Sequence, residues 1–371
     1  MKYHGKRDYA HSNPERVGIL LTNLGTPEAP TAKALRKYLG EFLWDPRVVE
    51  IPRLIWWMIL NLVILRIRPK RSAETYAKIW MKDGSPLLVY TKAQAAALNA
   101  LVAERGGAEV CEVEFAMRYG QPSIESALMK LQEKHVTRLV VLPLYPQYSG
   151  ATTASTFDAV AKTLAKIRWM PELRFINQYA DDEKYINACA QQISTFWQTN
   201  PKSDKLIFSF HGLPKKCLLK GDPYHCQCHK TARLIAEKLQ LNEDQWQLTF
   251  QSRFGREEWL KPYTDKTLEQ LAKDKKVRSV DVFCPGFSAD CVETLEEIDM
   301  LNREVFLEAG GENFQYIPAL NDSPAHIDAI FSIALQHMQG WQQAEKGYSA
   351  AEHAKEKLIA QERAVKMGAK K

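Results

Sequence analysis

The side chains able to do chemistry in this sequence fall into three groups. His211 closes the apolar run Leu206-Ile-Phe-Ser-Phe-His211 and is followed by Gly212-Leu-Pro214. The run reads as a buried strand and the Gly and Pro as a turn, which puts the imidazole at a strand's carboxyl end, where parallel α/β sheets bind ligands. An imidazole in that position can accept a proton near neutral pH or ligate a borderline metal. The second group is Asp290, Glu293 and Glu297. Ser288 reads as the N-cap of a helix running through Asp299 to a stop near Gly310-Gly311. At about 100° per residue the three acids share a stripe about 60° wide. That stripe adjoins an apolar one of Cys291, Leu295, Ile298 and Val305, so the acids are placed to meet a cation inside a cleft. The third group is Cys217, Cys226 and Cys228 with His225 and His229 beside them. A structural zinc or iron-sulfur site takes four ligands, and no fourth cysteine lies nearby, so these read first as reduced, unligated thiols. Cys284 or Cys291 would have to complete a cluster after folding.

Something must hold these groups together. Short apolar runs rich in β-branched residues recur at 17–22, 109–116, 137–144, 173–178, 205–210, 246–251, 278–283 and 314–317, with helical patterns between them. Strands apolar on both faces and separated by helices predict parallel sheets in an α/β fold. The strands form two similar sets of four. The first strand of each set runs into a glycine (Gly25, Gly212), the second ends in Arg-aromatic-Gly (Arg118-Tyr-Gly120, Arg253-Phe-Gly255), and the third ends in Pro with Ser three residues on (Pro146 and Ser149, Pro285 and Ser288). Matched punctuation of this kind predicts a duplicated fold with its site between the halves. The expected division is 16–172, 173–338 and a charged helical tail at 339–371.

The 371 residues exceed one comfortable core. With hydrophobic residues at 45% and charged residues at 25%, a mainly disordered chain is excluded. Net charge is +6, but much of the excess lies at Arg66–Arg71 and in the lysine-rich end, with no interleaved aromatics, so a nucleic-acid partner is not expected. The basic N-terminal residues are not followed by an apolar stretch, and seven unpatterned cysteines suit a reducing compartment; a cytoplasmic setting is the expectation. Residues 54–65, Leu-Ile-Trp-Trp-Met-Ile-Leu-Asn-Leu-Val-Ile-Leu, are the most apolar stretch. They are too few to span a bilayer, and the basic cluster behind them suits a lip at about 51–72 that dips into a membrane interface or covers a greasy ligand.

Taken together, Gly18-Ile-Leu-Leu-Thr-Asn-Leu-Gly-Thr-Pro-Glu28, Leu144-Tyr-Pro-Gln-Tyr-Ser149, Ser209-Phe-His-Gly-Leu-Pro214, Gln251-Ser-Arg-Phe-Gly255 with Trp259-Leu-Lys-Pro262, and Asp290-Cys-Val-Glu-Thr-Leu295 resemble the ferrochelatase family, in this order and across about 17–337. The resemblance implies two Rossmann-like halves, each a four-stranded parallel sheet flanked by helices, holding a porphyrin between them. It implies that His211 and Glu293 face each other as the catalytic and metal-handling pair, with Asp290 and Glu297 behind Glu293 on a proton or metal path. Leu24, Arg118 and Tyr145 match pocket-lining positions. Ferrous iron is then a substrate, protoporphyrin IX the other, and protohaem the product; the greasy lip favours protoporphyrin over coproporphyrin and suits a peripheral place on the inner face of a membrane. Another metal chelatase or a non-catalytic porphyrin carrier are the alternatives. Some family members hold a [2Fe-2S] cluster through C-terminal cysteines and one after the Tyr-Pro-Gln-Tyr-Ser motif. Here that position is Gly150 and the tail has no cysteine, which leaves Cys217, Cys226 and Cys228 as the remaining, minority ligand set.

Overall fold

Branched and aromatic side chains that cannot all find cover on one face of a ribbon force their strands into the middle of a sandwich of helices. The computed structural model describes residues 3–5, 9–107, 110–255, 257–275, 277–341 and 350–370, and in it β1 (Arg16–Gly25) is buried along almost its whole length. It pairs in parallel with β2 (Cys111–Tyr119) and β3 (Val136–Pro143), and β3 pairs with β4 (Glu172–Phe175). The second sheet repeats the plan with β5 (Lys205–His211), β6 (Trp246–Gln251), β7 (Ser279–Phe283) and β8 (Asn313–Ile317), again all parallel. Spatial orders β2-β1-β3-β4 and β6-β5-β7-β8 are the same, as the duplicated punctuation predicts.

The helices of the first half are α1 (Ala32–Trp44), α2 (Arg53–Ile59), α3 (Leu65–Ile79), α4 (Pro86–Glu104), α5 (Ile124–Glu133) and α6 (Ser155–Leu164); α7 (Glu183–Thr199) leads into the second. There follow α8 (Lys215–Leu219), α9 (Tyr224–Lys238), α10 (Thr264–Lys273), α11 (Arg303–Glu308), α12 (Pro324–Gln336) and, in the tail, α13 (Ala350–Lys366). Three segments, 60–64, 150–154 and 293–302, are wound as π-helix, a form with i→i+5 hydrogen bonds that is rare and concentrates at functional sites.

β4 straddles the expected boundary at 172, and its backbone pairs with β3, so the first sheet runs on to Phe175. The two halves share packing. The largest apolar cluster joins Leu21 and Leu98 of the first half to Phe208, Phe283 and Ile330 of the second. Across the seam Gln94 Nε2 donates to the carbonyls of Ser288 (2.8 Å) and Asn321 (3.0 Å).

Equivalent glycines end the first strand of each half. Gly25 has φ +113°, and a Cβ there would sit 1.8 Å from the Tyr119 carbonyl oxygen; at Gly212 it would sit 2.6 Å from that of Gln251. In both sheets, therefore, the chain turns off the strand end by passing against its neighbour's backbone, which only a residue without Cβ permits.

The apolar stretch forms a bent helical lip: α2, the π-helical 60–64 and the start of α3. Trp56 and Leu60 anchor it against Leu35, Tyr38 and Leu39 of α1, and the Trp56 indole N–H donates to the Leu43 carbonyl at 2.6 Å. Leu54 is 75% exposed and Ile67 70%, with Ile55, Trp57, Met58, Leu62 and Val63 also outward. No helix among the described residues is long and apolar enough to cross a membrane.

Candidate active site

β5 carries His211 to the carboxyl edge of the second sheet, beside Gln251 of β6 in the same register. The imidazole Nδ1 lies 2.7 Å from the Gly212 carbonyl oxygen. A carbonyl only accepts, so Nδ1 carries the hydrogen, and Nε2 of the neutral ring keeps its lone pair.

Opposite it, the helix of the acids is not the regular one expected. Ser288 does not cap it, because its hydroxyl donates to the Leu144 carbonyl at 2.8 Å across the seam. The helix instead opens at Val292 and is π-wound over Glu293–Asn302. That separates the acids. Asp290 lies ahead of the helix and is saturated: it accepts from Tyr316 Oη (2.5 Å), Asn321 Nδ2 (2.8 Å), Thr294 Oγ1 (3.0 Å) and the Ala319 N–H (3.3 Å). Asp290 thus braces the loop that launches the helix, and the expected stripe of three acids reduces to Glu293 and Glu297.

Glu297 accepts from the Ser252 N–H at 2.7 Å and from the Ser252 hydroxyl, with Gln251 Nε2 at 3.3 Å. Burial pushes its carboxyl above the usual carboxylate value; the Ser252 hydrogen bond and the charge of His211 oppose this, and the Glu293 charge adds to it. The same Gln251 Nε2 donates to the Glu293 carbonyl at 2.8 Å, and its Oε1 accepts from Ser209 Oγ at 2.8 Å. One buried amide therefore ties β5, β6 and the π-helix together. Nothing in the pattern around Gln251 announces this role beyond its place at a strand end.

The first half supplies the other wall. Glu293 is felt there by Tyr76 and Tyr38, whose phenols burial holds well above their usual range, and by Arg68, which burial pushes down. Arg68 also lies over the Phe254 ring at 5.0 Å, and Lys78 pairs with Glu296 at 3.1 Å. The stem of the lip is thus clamped to the second half on either side of Glu293. Arg68, Tyr38 and Tyr76 are site residues that sequence reasoning missed; their only signal is spacing along helices whose docking is not local.

Of the expected pocket residues, Leu24 packs half-buried at the base of the lip. Arg118 is bound from behind: Nε donates to the Ser155 carbonyl (2.9 Å) and hydroxyl (2.7 Å), and Nη2 pairs with Asp45. Asp45 also accepts from Ser155 (2.6 Å) and Tyr119 (2.8 Å). Burial alone would raise the Asp45 carboxyl, but the Ser155, Arg47 N–H and Tyr119 hydrogen bonds and the Arg118 charge leave it lowered. Tyr145 is half-buried at the start of the loop that follows β3, and burial raises its phenol well above the usual range.

The three cysteines do not converge. Cys228 is fully buried in the core under α9, Cys226 is exposed and Cys217 is half-buried on α8. Among the described residues no three His, Cys, Asp or Glu side chains are arranged to hold a metal ion, at the cysteines or at His211. The cysteine set therefore does not fit a resident cluster in this arrangement.

Residues 16–338 match the family model described as Ferrochelatase. A protein of Marinobacter nauticus called ferrochelatase is 59% identical over 341 residues, 92% of each chain. One of the same name from Thioalkalivibrio sulfidiphilus is 55% identical over 370 residues, the whole of both chains. Among solved structures, SirB from Bacillus subtilis with Fe3+ covers 87% of this chain and 96% of its own, at a TM-score of 0.52 and 12% identity; that likeness is one of fold.

Proposed function

Because the chain belongs to the ferrochelatase family, in which ferrous iron is inserted into protoporphyrin to make haem, we propose that His211 and Glu297 take the pyrrole protons while Glu293 steers the iron. The chain is an enzyme of metal chelation, and iron is its substrate. Two N–H protons must leave the porphyrin as the dication enters. The observation that carries the assignment is the hydrogen bond from His211 Nδ1 to the Gly212 carbonyl, which leaves Nε2 as the base. Glu297, a buried carboxyl raised above its ordinary value, is the neighbouring group that can accept the second proton. Glu293, with Arg68, Tyr38 and Tyr76 around it, has no comparable set of hydrogen bonds to its carboxylate among the described residues and is the acid freer to meet a cation. A seat that gripped iron with three protein ligands would oppose its release to the macrocycle, so an open site favours transfer.

The exposed face of the lip, with Leu54, Trp57, Met58, Leu62 and Val63 outward and the exposed Arg66 and Lys70 behind, supports a place at the edge of a bilayer where an apolar porphyrin partitions. The test is anaerobic ferrous insertion into protoporphyrin IX and coproporphyrin III side by side, for the parent, His211→Ala and Glu293→Gln. Turnover of protoporphyrin that collapses in both variants is the expected result. Parent-level turnover by His211→Ala would overturn the assignment of the base, and a preference for coproporphyrin would overturn the substrate.

A further inference from the structure

One pair of metal-ligating side chains lies outside the cleft. His225 and His229 occupy the first and second turns of α9 at an offset of four, so they share one face of the helix. Their ring centroids are 4.5 Å apart. Two imidazoles that share one ion at the usual metal–nitrogen distance of about 2.0–2.1 Å bring their centroids to about 4.5–5 Å, so the observed spacing needs little adjustment.

We propose that His225 and His229 form a second, solvent-facing site for a divalent first-row transition ion, held by two imidazole nitrogens and completed by solvent. Neither ring makes a hydrogen bond or ion pair with the described residues; their contacts are with each other and with Phe250, on which His225 stacks at 5.7 Å and 20°. The nitrogens are thus uncommitted while the rings are oriented. Burial pushes both imidazoles below their usual range, and at His229 the charge of His225 adds to it, which keeps them neutral as ligation requires. The helix beneath is anchored, since Gln227 accepts from the Tyr148 N–H at 2.7 Å and Asp222, just before α9, from the Gly150 N–H at 2.8 Å. His229 borders an open groove of about 610 Å³ with Lys230, Arg233, Leu241 and Trp246, so an ion can reach it. Imidazole donors with no carboxylate favour nickel, copper, zinc, cobalt or ferrous ions over magnesium or calcium. Phe250 and Gln251 are adjacent on β6 and point to opposite faces, so the sheet separates this pair from Glu297.

The experiment is calorimetric titration of the full chain with Ni2+, in the His211→Ala background to silence the cleft, comparing further His225→Ala, His229→Ala and Cys226→Ser substitutions. Loss of either histidine is expected to weaken one class of sites by roughly tenfold or more, with Cys226→Ser unchanged. In the chain with His211 intact, His229→Ala should retain the parent's iron-insertion rate. Electron paramagnetic resonance of bound Cu2+ should show two equivalent nitrogens that disappear in His229→Ala. Unchanged Ni2+ binding after both histidines are replaced, or its loss in Cys226→Ser, would overturn the proposal.

Discussion

Replacing Gln251 by alanine tests whether the site is held by the amide that joins its three elements. The side chain is buried and donates to the Glu293 carbonyl at 2.8 Å and to Glu297 at 3.3 Å while accepting from Ser209 at 2.8 Å. Buried neutral hydrogen bonds are worth about 1 kcal/mol each and the truncation leaves a void, so a destabilisation of about 2–4 kcal/mol is expected. Ser209 still has the Thr264 hydroxyl at 3.0 Å, which keeps the cost from the upper end. The larger effect should be on chemistry. Without the amide the π-helix loses its tie to β6, and a displacement of about 1 Å in Glu293 or Glu297 is worth roughly 10²-fold in rate. Urea unfolding gives the first quantity. Anaerobic steady-state insertion gives the second, with kcat expected to fall while KM for porphyrin changes little, because the residue sits behind the acids. Gln251→Glu preserves the shape but sets another carboxylate beside Glu297, and it should not rescue. A Gln251→Ala enzyme that loses stability yet keeps the parent's kcat would refute the reasoning and reduce the amide to scaffolding.

Other perturbations test separate parts of the structure. The Glu297 carboxyl is raised in the folded state, so its contribution to stability is fully present below the ordinary value near 4.5 and is lost as pH rises through the folded value. Glu297→Gln should therefore be more stable than the parent at pH 7 to 8, the gap closing below about pH 4.5 in thermal melts, and less active; equal melting at all pH values would contradict the burial argument. Replacing Leu54, Trp57 and Leu62 together by serine should cut cosedimentation with anionic vesicles several-fold while leaving the melting temperature nearly unchanged, since all three are exposed. Gly25→Ala brings a Cβ to 1.8 Å from the Tyr119 carbonyl at φ +113°, whereas Gly221→Ala, at φ +94°, meets nothing within 4 Å. The second should cost about 1–2 kcal/mol of conformational strain and the first considerably more, enough to deplete soluble protein.

What the sequence by itself determined is what neighbouring residues decide among themselves. Alternation of short β-branched runs with helices requires covered parallel sheets, and the matched glycines and prolines mark the same turns in both halves, so the duplicated two-sheet plan and the place of His211 at a strand end were legible. Equivalent Gly25 and Gly212 are local signals of this kind, each demanded by the backbone it passes. The remainder depends on partners far along the chain. Ser288 looked like a helix cap until the Leu144 carbonyl took its hydroxyl, and Asp290 looked like part of an acidic stripe until Tyr316 and Asn321 took its oxygens. With those groups diverted, the helix starts later and winds more widely, and of the three acids Glu297 is the one that feels the charge of His211. Gln251, Arg68 and Tyr76 enter the site only because β6 and the stem of the lip dock beside it. Patterning along a chain reports which residues seek burial or a turn. Which hydrogen-bond donor reaches which acceptor is settled by tertiary packing, since each buried polar group must find a partner among those the fold brings near.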